Sequence, residues 1–96
     1  MNRSIILEKL RTIKPFLAER YGVSEIGLFG SYSRNEQTQE SDIDIIVDFK
    51  QPIGIEYINL AYELEELFKN LKVQVVSKKA IKPHYYERLK KDLIYA

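Results

Sequence analysis

The feature that most constrains this chain is a seven-residue run that begins at Ile43, in which aspartates interrupt β-branched residues. Ile43 to Phe49 reads Ile-Asp-Ile-Ile-Val-Asp-Phe, and its β-branched residues predict a strand. Asp42 and Asp44 are two positions apart, so both carboxylates project from one face, with Cα atoms about 6.6 Å apart. The intervening isoleucines and valine point the other way. The chain therefore needs a sheet with an apolar core on one face and an environment for charge on the other.

The paired carboxylates of Asp42 and Asp44 are candidate metal ligands. Two carboxylates held side by side on a strand repel each other unless a cation lies between them. Oxygen ligands favour Mg²⁺ or Mn²⁺. The chain has no cysteine and one histidine, His84, which excludes a thiolate site and a site built on two histidines.

A glycine and a serine precede this pair and form a candidate phosphate site. Glu25 to Phe29 predicts a short strand that ends in Gly30-Ser31. Glycine has no Cβ, so a phosphate can approach the backbone there, and the serine hydroxyl and the following N–H groups can donate to phosphate oxygens. A phosphate site that faces a metal-holding carboxylate pair is suited to phosphoryl or nucleotidyl transfer.

The spacing of these residues carries more information than either part alone. Gly30-Ser31, ten intervening residues and then Asp42-x-Asp44 resemble the signature of the minimal nucleotidyltransferases (MNT domains) of the DNA polymerase β-like superfamily. The match extends to Arg34 and to Ser41, which precedes the aspartates.

The resemblance implies an enzyme that binds ATP and Mg²⁺, transfers AMP or another nucleoside monophosphate to a hydroxyl, and releases pyrophosphate. It also implies an antitoxin whose partner is a HEPN-domain RNase toxin, which some members inactivate by AMPylating a tyrosine. By the same resemblance, Gly30 and Ser31 bind the triphosphate, and Asp42 and Asp44 are the catalytic metal ligands. Arg34 either contacts phosphate or braces the loop through a carboxylate.

One residue departs from the family pattern. The family places a third carboxylate on the next strand, where this chain has Val73-Gln74-Val75-Val76. A neutral amide cannot accept the proton of an attacking hydroxyl, and general base assistance is commonly worth about 10²–10⁴-fold in rate. The alternative hypothesis is therefore a catalytically impaired antitoxin that neutralises its toxin by complex formation only.

The remaining pattern predicts a single α/β (α+β) domain over residues 1–96, with a small mixed β-sheet and helices packed on it. A helix is expected over residues 4–20, with a kink or break before Pro15 because proline cannot donate to the preceding turn. Further elements are expected at Ile55–Leu71 (helix), Val73–Val76 (strand) and Pro83–Leu93 (helix).

The formal net charge of +1 conceals an uneven distribution, with a net charge of +4 over residues 77–96. Lys78, Lys79 and Lys82 follow the third predicted strand, close to the expected functional edge of the sheet, and either attract the polyphosphate or solubilise the loop. Tyr85 and Tyr86, beside Arg88, either form a patch that faces a partner or pack against the sheet. Nucleic-acid binding is disfavoured because no base-reading motif accompanies the basic residues.

The size and hydropathy of the chain set expectations for its location and assembly. A chain of 96 residues buries only about two thirds of its unfolded surface, so we expect help from a partner or from a homo-oligomer. No apolar run approaches the roughly 20 residues that span a bilayer, and the N-terminus does not resemble a signal peptide. We therefore expect a cytoplasmic location and no membrane association.

Overall fold

Four strands form one mixed sheet that carries three helices. The computed structural model describes residues 1–69 and 71–96. The elements in chain order are α1 (Arg3–Tyr21), β1 (Val23–Phe29), β2 (Ile43–Phe49), α2 (Glu56–Leu67), β3 (Val73–Ser77), α3 (Pro83–Leu89) and β4 (Ile94–Tyr95), with a short 3-10 turn at Lys78–Ala80. The strand order is β3-β2-β1-β4, and only the β2–β3 pair is parallel. The predicted fold class, a small mixed sheet with helices packed on it, is confirmed.

The alternation of β2 divides the core between the two faces of the sheet. Ile43, Ile45 and Val47 are fully buried with side chains of α1 and α2 on one face. Ile46 points to the opposite face, where it packs with Phe29 of β1 and Leu89 of α3. Asp42 and Asp44 share that second face by alternation. The short helix α3 therefore lies on the same side of the sheet as both carboxylates.

The first helix is continuous, and the predicted break before Pro15 is wrong. Asn2 caps its first turn by accepting a hydrogen bond from the Ile5 amide, and Gly22 ends it in a left-handed conformation at φ 72°. Pro15 lies inside the helix and removes one backbone donor. Leu10 and Leu17, which flank it, are both fully buried. Burial on both sides of the proline holds the two halves on the sheet as one element.

The second helix is shorter than its sequence pattern predicts. It ends at Leu67, and Phe68 leaves helical geometry at φ −115° and ψ 54° while its ring stays buried. Asn70, which the prediction placed inside this helix, lies outside the described residues. The Tyr57 hydroxyl donates to the Val75 carbonyl at 3.1 Å, so the start of α2 is tied to β3. Of the helices in the described part of the chain, none is both long and apolar enough to cross a bilayer.

The end of the chain differs most from the prediction. The last helix stops at Leu89 rather than Leu93, and Ile94–Tyr95 forms a fourth strand that the sequence analysis missed. This strand pairs with Gly27 and Leu28 of β1. A Cβ on Gly27 would lie 2.7 Å from Leu93 Cδ1, so the missing side chain makes room for the final segment.

The parallel pairing of β2 and β3 decides which lysines lie near the carboxylates. Asp44 is opposite Gln74, and Val47 is opposite Ser77, so Lys78 follows the far end of β3, about 13 Å along the strand from Gln74. Lys79 donates to the Phe49 carbonyl at 2.8 Å and lies 3.5 Å from Asp48. The expectation that Lys78 and Lys79 lie near the functional edge is therefore wrong.

Candidate functional site

The end of β1 brings Gly30 against the carboxylate of Asp44. Phe29 is opposite Asp44 in the antiparallel β1–β2 pair, and Gly30 follows at φ +79°. A Cβ at Gly30 would lie 3.0 Å from Asp44 Cγ and closer still to Oδ2. Position 30 therefore requires glycine for two independent reasons, its backbone conformation and the space that Asp44 occupies.

A cavity of about 360 Å³ opens beside this contact, on the face of the sheet that carries α3. That volume is within the range typical of small-ligand pockets. Three predicted residues line it, namely Gly30, Arg34 and Asp44. Ser31 and Asp42 are not among the lining residues; Ser31 follows Gly30 directly, and Asp42 is two positions before Asp44. The complete lining is Phe29, Gly30, Arg34, Asp44, Gln74, Tyr85, Arg88, Leu89 and Asp92.

A larger cavity, of about 630 Å³, lies at the other end of the sheet. Phe49, Ile53, Tyr57 and Ile81 are among its mainly apolar lining residues. None of the motif residues Gly30, Ser31, Arg34, Asp42 and Asp44 is among them, although Lys79, one of the lysines considered for attracting the polyphosphate, lines this cavity. The smaller cavity is therefore the one in which the sequence motif and the geometry coincide.

The ionised form of Asp44 is destabilised by its surroundings. Burial raises the pKa of the Asp44 carboxyl above its ordinary value, the negative charge of Asp42 raises it further, and Arg34 opposes both. A pair of carboxylates that repel each other beside a polar cavity is a fitting donor set for a hard divalent cation. Within residues 1–69 and 71–96, no cluster of three or more acidic or histidine side chains is positioned to hold a metal.

The donor set therefore suits Mg²⁺ better than an ion that needs a protein cage. Mg²⁺ commonly uses one or two carboxylates together with waters and substrate phosphates. Asp42 and Asp44 are the residues that would supply the carboxylates, and the cavity beside Gly30 is large enough for phosphates.

Arg34 braces the loop that follows Gly30. Its Nε donates to Glu36 at 2.7 Å, and its Nη1 donates to Asp92 at 2.6 Å. The hydrogen bond to Glu36, followed by that to Asp92, raises the pKa of the guanidinium, so its charge is permanent. Of the two roles that the sequence left open, the structure shows the bracing contact.

The adjoining Ser33 ties this loop to both ends of the chain. Ser33 is buried, its hydroxyl donates to the Asp92 carbonyl, and its own carbonyl accepts from Arg3 at 2.9 Å. The sequence analysis missed Asp92 because no local pattern marks a contact across 58 or more positions. The loop therefore depends on helix α1 and on the segment after α3.

Gln74, Tyr85 and Arg88 complete the cavity. The register of β3 places Gln74 directly beside Asp44, where the sequence analysis expected the missing third carboxylate. Tyr85 and Arg88 lie one helical turn apart on α3, and both line the cavity. The sequence analysis considered them only as a partner-facing patch or as packing on the sheet, because their place at this site depends on how α3 crosses it.

Comparison with known families identifies the chain. The model of the nucleotidyltransferase domain matches residues 10–96. The chain belongs to the nucleotidyltransferase domain family. The Gly-Ser and Asp-x-Asp motif lies within the matched residues, so the resemblance seen in the sequence is confirmed.

Relatives of this nucleotidyltransferase carry a more specific name. It is 46% identical over 96 residues to a Methanocaldococcus jannaschii protein provisionally named a protein adenylyltransferase, covering 96% of this chain and 95% of that one. It is 38% identical over 96 residues to the protein adenylyltransferase MntA of Thermococcus cleftensis, covering 95% and 96%. Its curated relatives are therefore adenylyltransferases of nearly the same length.

Solved structures share the fold of this nucleotidyltransferase. One provisionally described as a minimal nucleotidyltransferase superposes with a TM-score of 0.80 at 25% identity, covering 98% of this chain and 95% of that one. A toxin–antitoxin structure with AMP-PNP gives a TM-score of 0.71 at 25% identity, covering 99% and 72%. The MNT antitoxin bound to a tri-AMPylated Shewanella oneidensis HEPN toxin gives 0.67, covering 97% and 70%. At 21% identity, that last match shows the fold alone.

Replacing Gly30 by alanine is expected to damage the site more than the fold. The left-handed φ costs about 1–2 kcal/mol for a residue with a Cβ, and the clash additionally displaces Asp44. Gly22→Ala is the matched control, because Gly22 has φ +72° but nothing within 4 Å of its Cβ position. Urea unfolding should show similar losses for both variants, whereas Mn²⁺ binding followed by electron paramagnetic resonance should weaken only in Gly30→Ala. Equal Mn²⁺ binding by both would contradict this.

Replacing Asp44 by asparagine is expected to stabilise the metal-free protein at neutral pH. Because the folded-state pKa of Asp44 is raised, folding penalises its ionised form above that pKa. The penalty disappears below the ordinary carboxyl pKa, where the group is protonated in both states. In a chelating buffer, the Asp44→Asn variant should therefore unfold at higher temperature than wild type at pH 7, with the difference shrinking toward pH 3.

The control for this measurement is Asp48→Asn, which removes the ion pair with Lys79 instead. It should not raise the unfolding temperature at pH 7. An Asp44→Asn variant less stable than wild type at pH 7 would show that the ionised carboxylate is favoured by contacts stronger than its burial penalty.

Proposed function

We propose that this nucleotidyltransferase transfers AMP from ATP to a hydroxyl of a HEPN-type toxin and thereby neutralises the toxin. The observation that carries the proposal is the juxtaposition of Gly30 and Asp44 at the mouth of a cavity, with Asp42 on the same face. The protein adenylyltransferase names of its relatives support AMP as the transferred group. The toxin–antitoxin structure with AMP-PNP, at 25% identity, supports a toxin as the partner.

Each motif residue has a role that follows from its position. Gly30 admits the triphosphate to the backbone after β1, and the Ser31 hydroxyl and the amides after it donate to phosphate oxygens. Asp42 and Asp44 hold Mg²⁺ or Mn²⁺. When bound, the ion neutralises charge that develops on the transferred and leaving phosphates. Arg34 keeps the loop in shape through Glu36 and Asp92.

The proposed reaction forms one P–O bond and breaks another. The hydroxyl oxygen of the acceptor bonds to the α-phosphorus of ATP and gives up its proton to water, because Gln74 cannot accept it, and the bond from that phosphorus to the bridging oxygen breaks to release pyrophosphate. The protein would accelerate this transfer mainly by positioning the reacting groups and by electrostatic stabilisation, which dominate catalysis of phosphoryl transfer. Gly30 and the two aspartates fix where the phosphates lie relative to the acceptor.

The transfer is tested with a HEPN protein that forms a complex with this chain, ATP labelled on the α-phosphate, and Mg²⁺. Wild type should label the HEPN protein, and Asp42→Asn should lower labelling by at least about 100-fold because it removes a metal ligand. Asp48→Asn is the matched control, since Asp48 lies on the same strand and face but about 13 Å from Asp44. Absence of label with wild type, in a complex shown to form, would reject the proposed transfer.

A second candidate function rests on Gln74. Because an amide stands beside Asp44 where a carboxylate would accept the hydroxyl proton, the protein can instead act by binding its toxin without transfer. Under this alternative, a variant with both Asp42→Asn and Asp44→Asn protects cells from the toxin as well as wild type does. Loss of protection in that double variant would exclude it.

Introducing Gln74→Asp separates the two candidates further. A carboxylate at position 74 would lie beside Asp44 and supply a general base, so labelling by an impaired enzyme should rise by at least about 10-fold. Gln74→Ala is the control for loss of the amide alone. If Gln74→Asp leaves a measurable wild-type rate unchanged, position 74 does not limit the reaction.

A further inference from the structure

The cavity contains more positive charge than the motif accounts for. Two of its lining residues are cations, Arg34 and Arg88. Arg34 already forms ion pairs with Glu36 and Asp92, so two carboxylates compensate its single charge. The charge of Arg34 is therefore already paired before a triphosphate enters this cavity.

Arg88 is placed differently. No carboxylate of the described residues pairs with it, whereas its helix neighbour Lys90 pairs with Glu87 at 2.6 Å. Arg88 is exposed and lines the cavity, on the same side of the sheet as Asp44. An uncompensated guanidinium beside a phosphate-sized opening is well suited to bind phosphate, since its planar donors match phosphate oxygens.

Packing on the sheet fixes the position of α3, so the fold itself places Arg88 at the cavity. Leu89, next to Arg88, is buried against Phe29 and Ile46 of the sheet. Tyr85, one turn earlier, also lines the cavity and leaves 46% of its surface exposed. An aromatic ring that is half exposed at a cavity edge offers a face on which a nucleobase can stack.

We infer that α3 supplies two nucleotide-binding residues outside the Gly-Ser and Asp-x-Asp motif, with Arg88 contacting the phosphates and Tyr85 stacking on the base. The inference rests on the proposed function, because it assumes that the ligand is a nucleoside triphosphate. The proposed stacking on Tyr85 also has a consequence for which base is bound. Every base has a π-face, so stacking on Tyr85 contributes affinity without selecting adenine.

The test compares two ligands that share only the phosphate chain. Binding of AMP-PNP and of inorganic tripolyphosphate is measured by calorimetry with Mg²⁺ for wild type, Arg88→Ala and Tyr85→Ala. Arg88→Ala should weaken both ligands by about 10- to 100-fold, as expected for a lost charge-assisted hydrogen bond. Tyr85→Ala should weaken AMP-PNP by about 5- to 100-fold and leave tripolyphosphate unchanged.

Conservative and matched variants separate direct contact from altered structure. Tyr85→Phe keeps the ring and should bind AMP-PNP like wild type, and Arg88→Lys should recover part of the tripolyphosphate affinity. The controls are Arg11→Ala and Tyr62→Ala, which remove an exposed arginine of α1 and a 61% exposed tyrosine of α2, both outside the cavity lining. Neither control should change binding of either ligand.

The outcomes distinguish this inference from the proposed function. Wild type that labels the HEPN protein and binds AMP-PNP, together with unchanged affinities in Arg88→Ala and Tyr85→Ala, overturns the role of α3 and leaves the transfer intact. Loss of tripolyphosphate binding in Tyr85→Ala also overturns the assigned stacking role. Wild type that neither binds AMP-PNP nor labels its partner overturns both.

Discussion

The close approach of Gly30 to Asp44 is the constraint on which the site depends. The antiparallel register of β1 and β2 sets it, because Phe29 opposite Asp44 places the next residue against the carboxylate. Only a residue without a Cβ fits there. The same register places the loop after Gly30 over the end of the sheet and leaves Asp42 beside it. Sheet pairing thus brings two residues that are 14 positions apart in the sequence into contact.

The electrostatics of the cavity follow from that contact. Two carboxylates held near each other on one face raise the energy of the ionised state, and Arg34 offsets only part of that cost because it is shared with Glu36 and Asp92. A bound cation would offset the remainder. The ionised form of Asp44 therefore destabilises the folded state, and carboxylates perturbed in this way cluster at functional sites.

The local patterns in the sequence were reliable where burial repeats along one element. The bounds predicted for β2, Ile43 to Phe49, agree with the structure because β-branched residues alternate between two faces throughout. The predicted break at Pro15 failed because tertiary burial of Leu10 and Leu17 outweighs one missing hydrogen bond. Strand β4 was missed because two residues form it, and their partners lie more than 60 positions earlier.

In the candidate site, too, the sequence predicted what local motifs determine and missed what tertiary packing determines. Gly30 and Asp44 could be named from a motif, since the chemistry requires a small residue and a carboxylate at a fixed spacing. Asp92, Tyr85 and Arg88 could not, because the packing of Leu89 on the sheet decides that they face the cavity. Lys78 and Lys79 were misplaced because a parallel crossover sends the chain to the far end of the sheet.

The braces on the loop after Gly30 also have a consequence for when the site can form. Arg3 reaches Ser33 from 30 positions earlier, and Asp92 reaches Ser33 and Arg34 from 59 and 58 positions later. Contacts of such long sequence separation close late in folding. A chain emerging from the ribosome can pair β1 with β2 before residue 92 has been made, but it cannot yet brace the loop. The braced form of the loop therefore cannot exist until residue 92 has been synthesised.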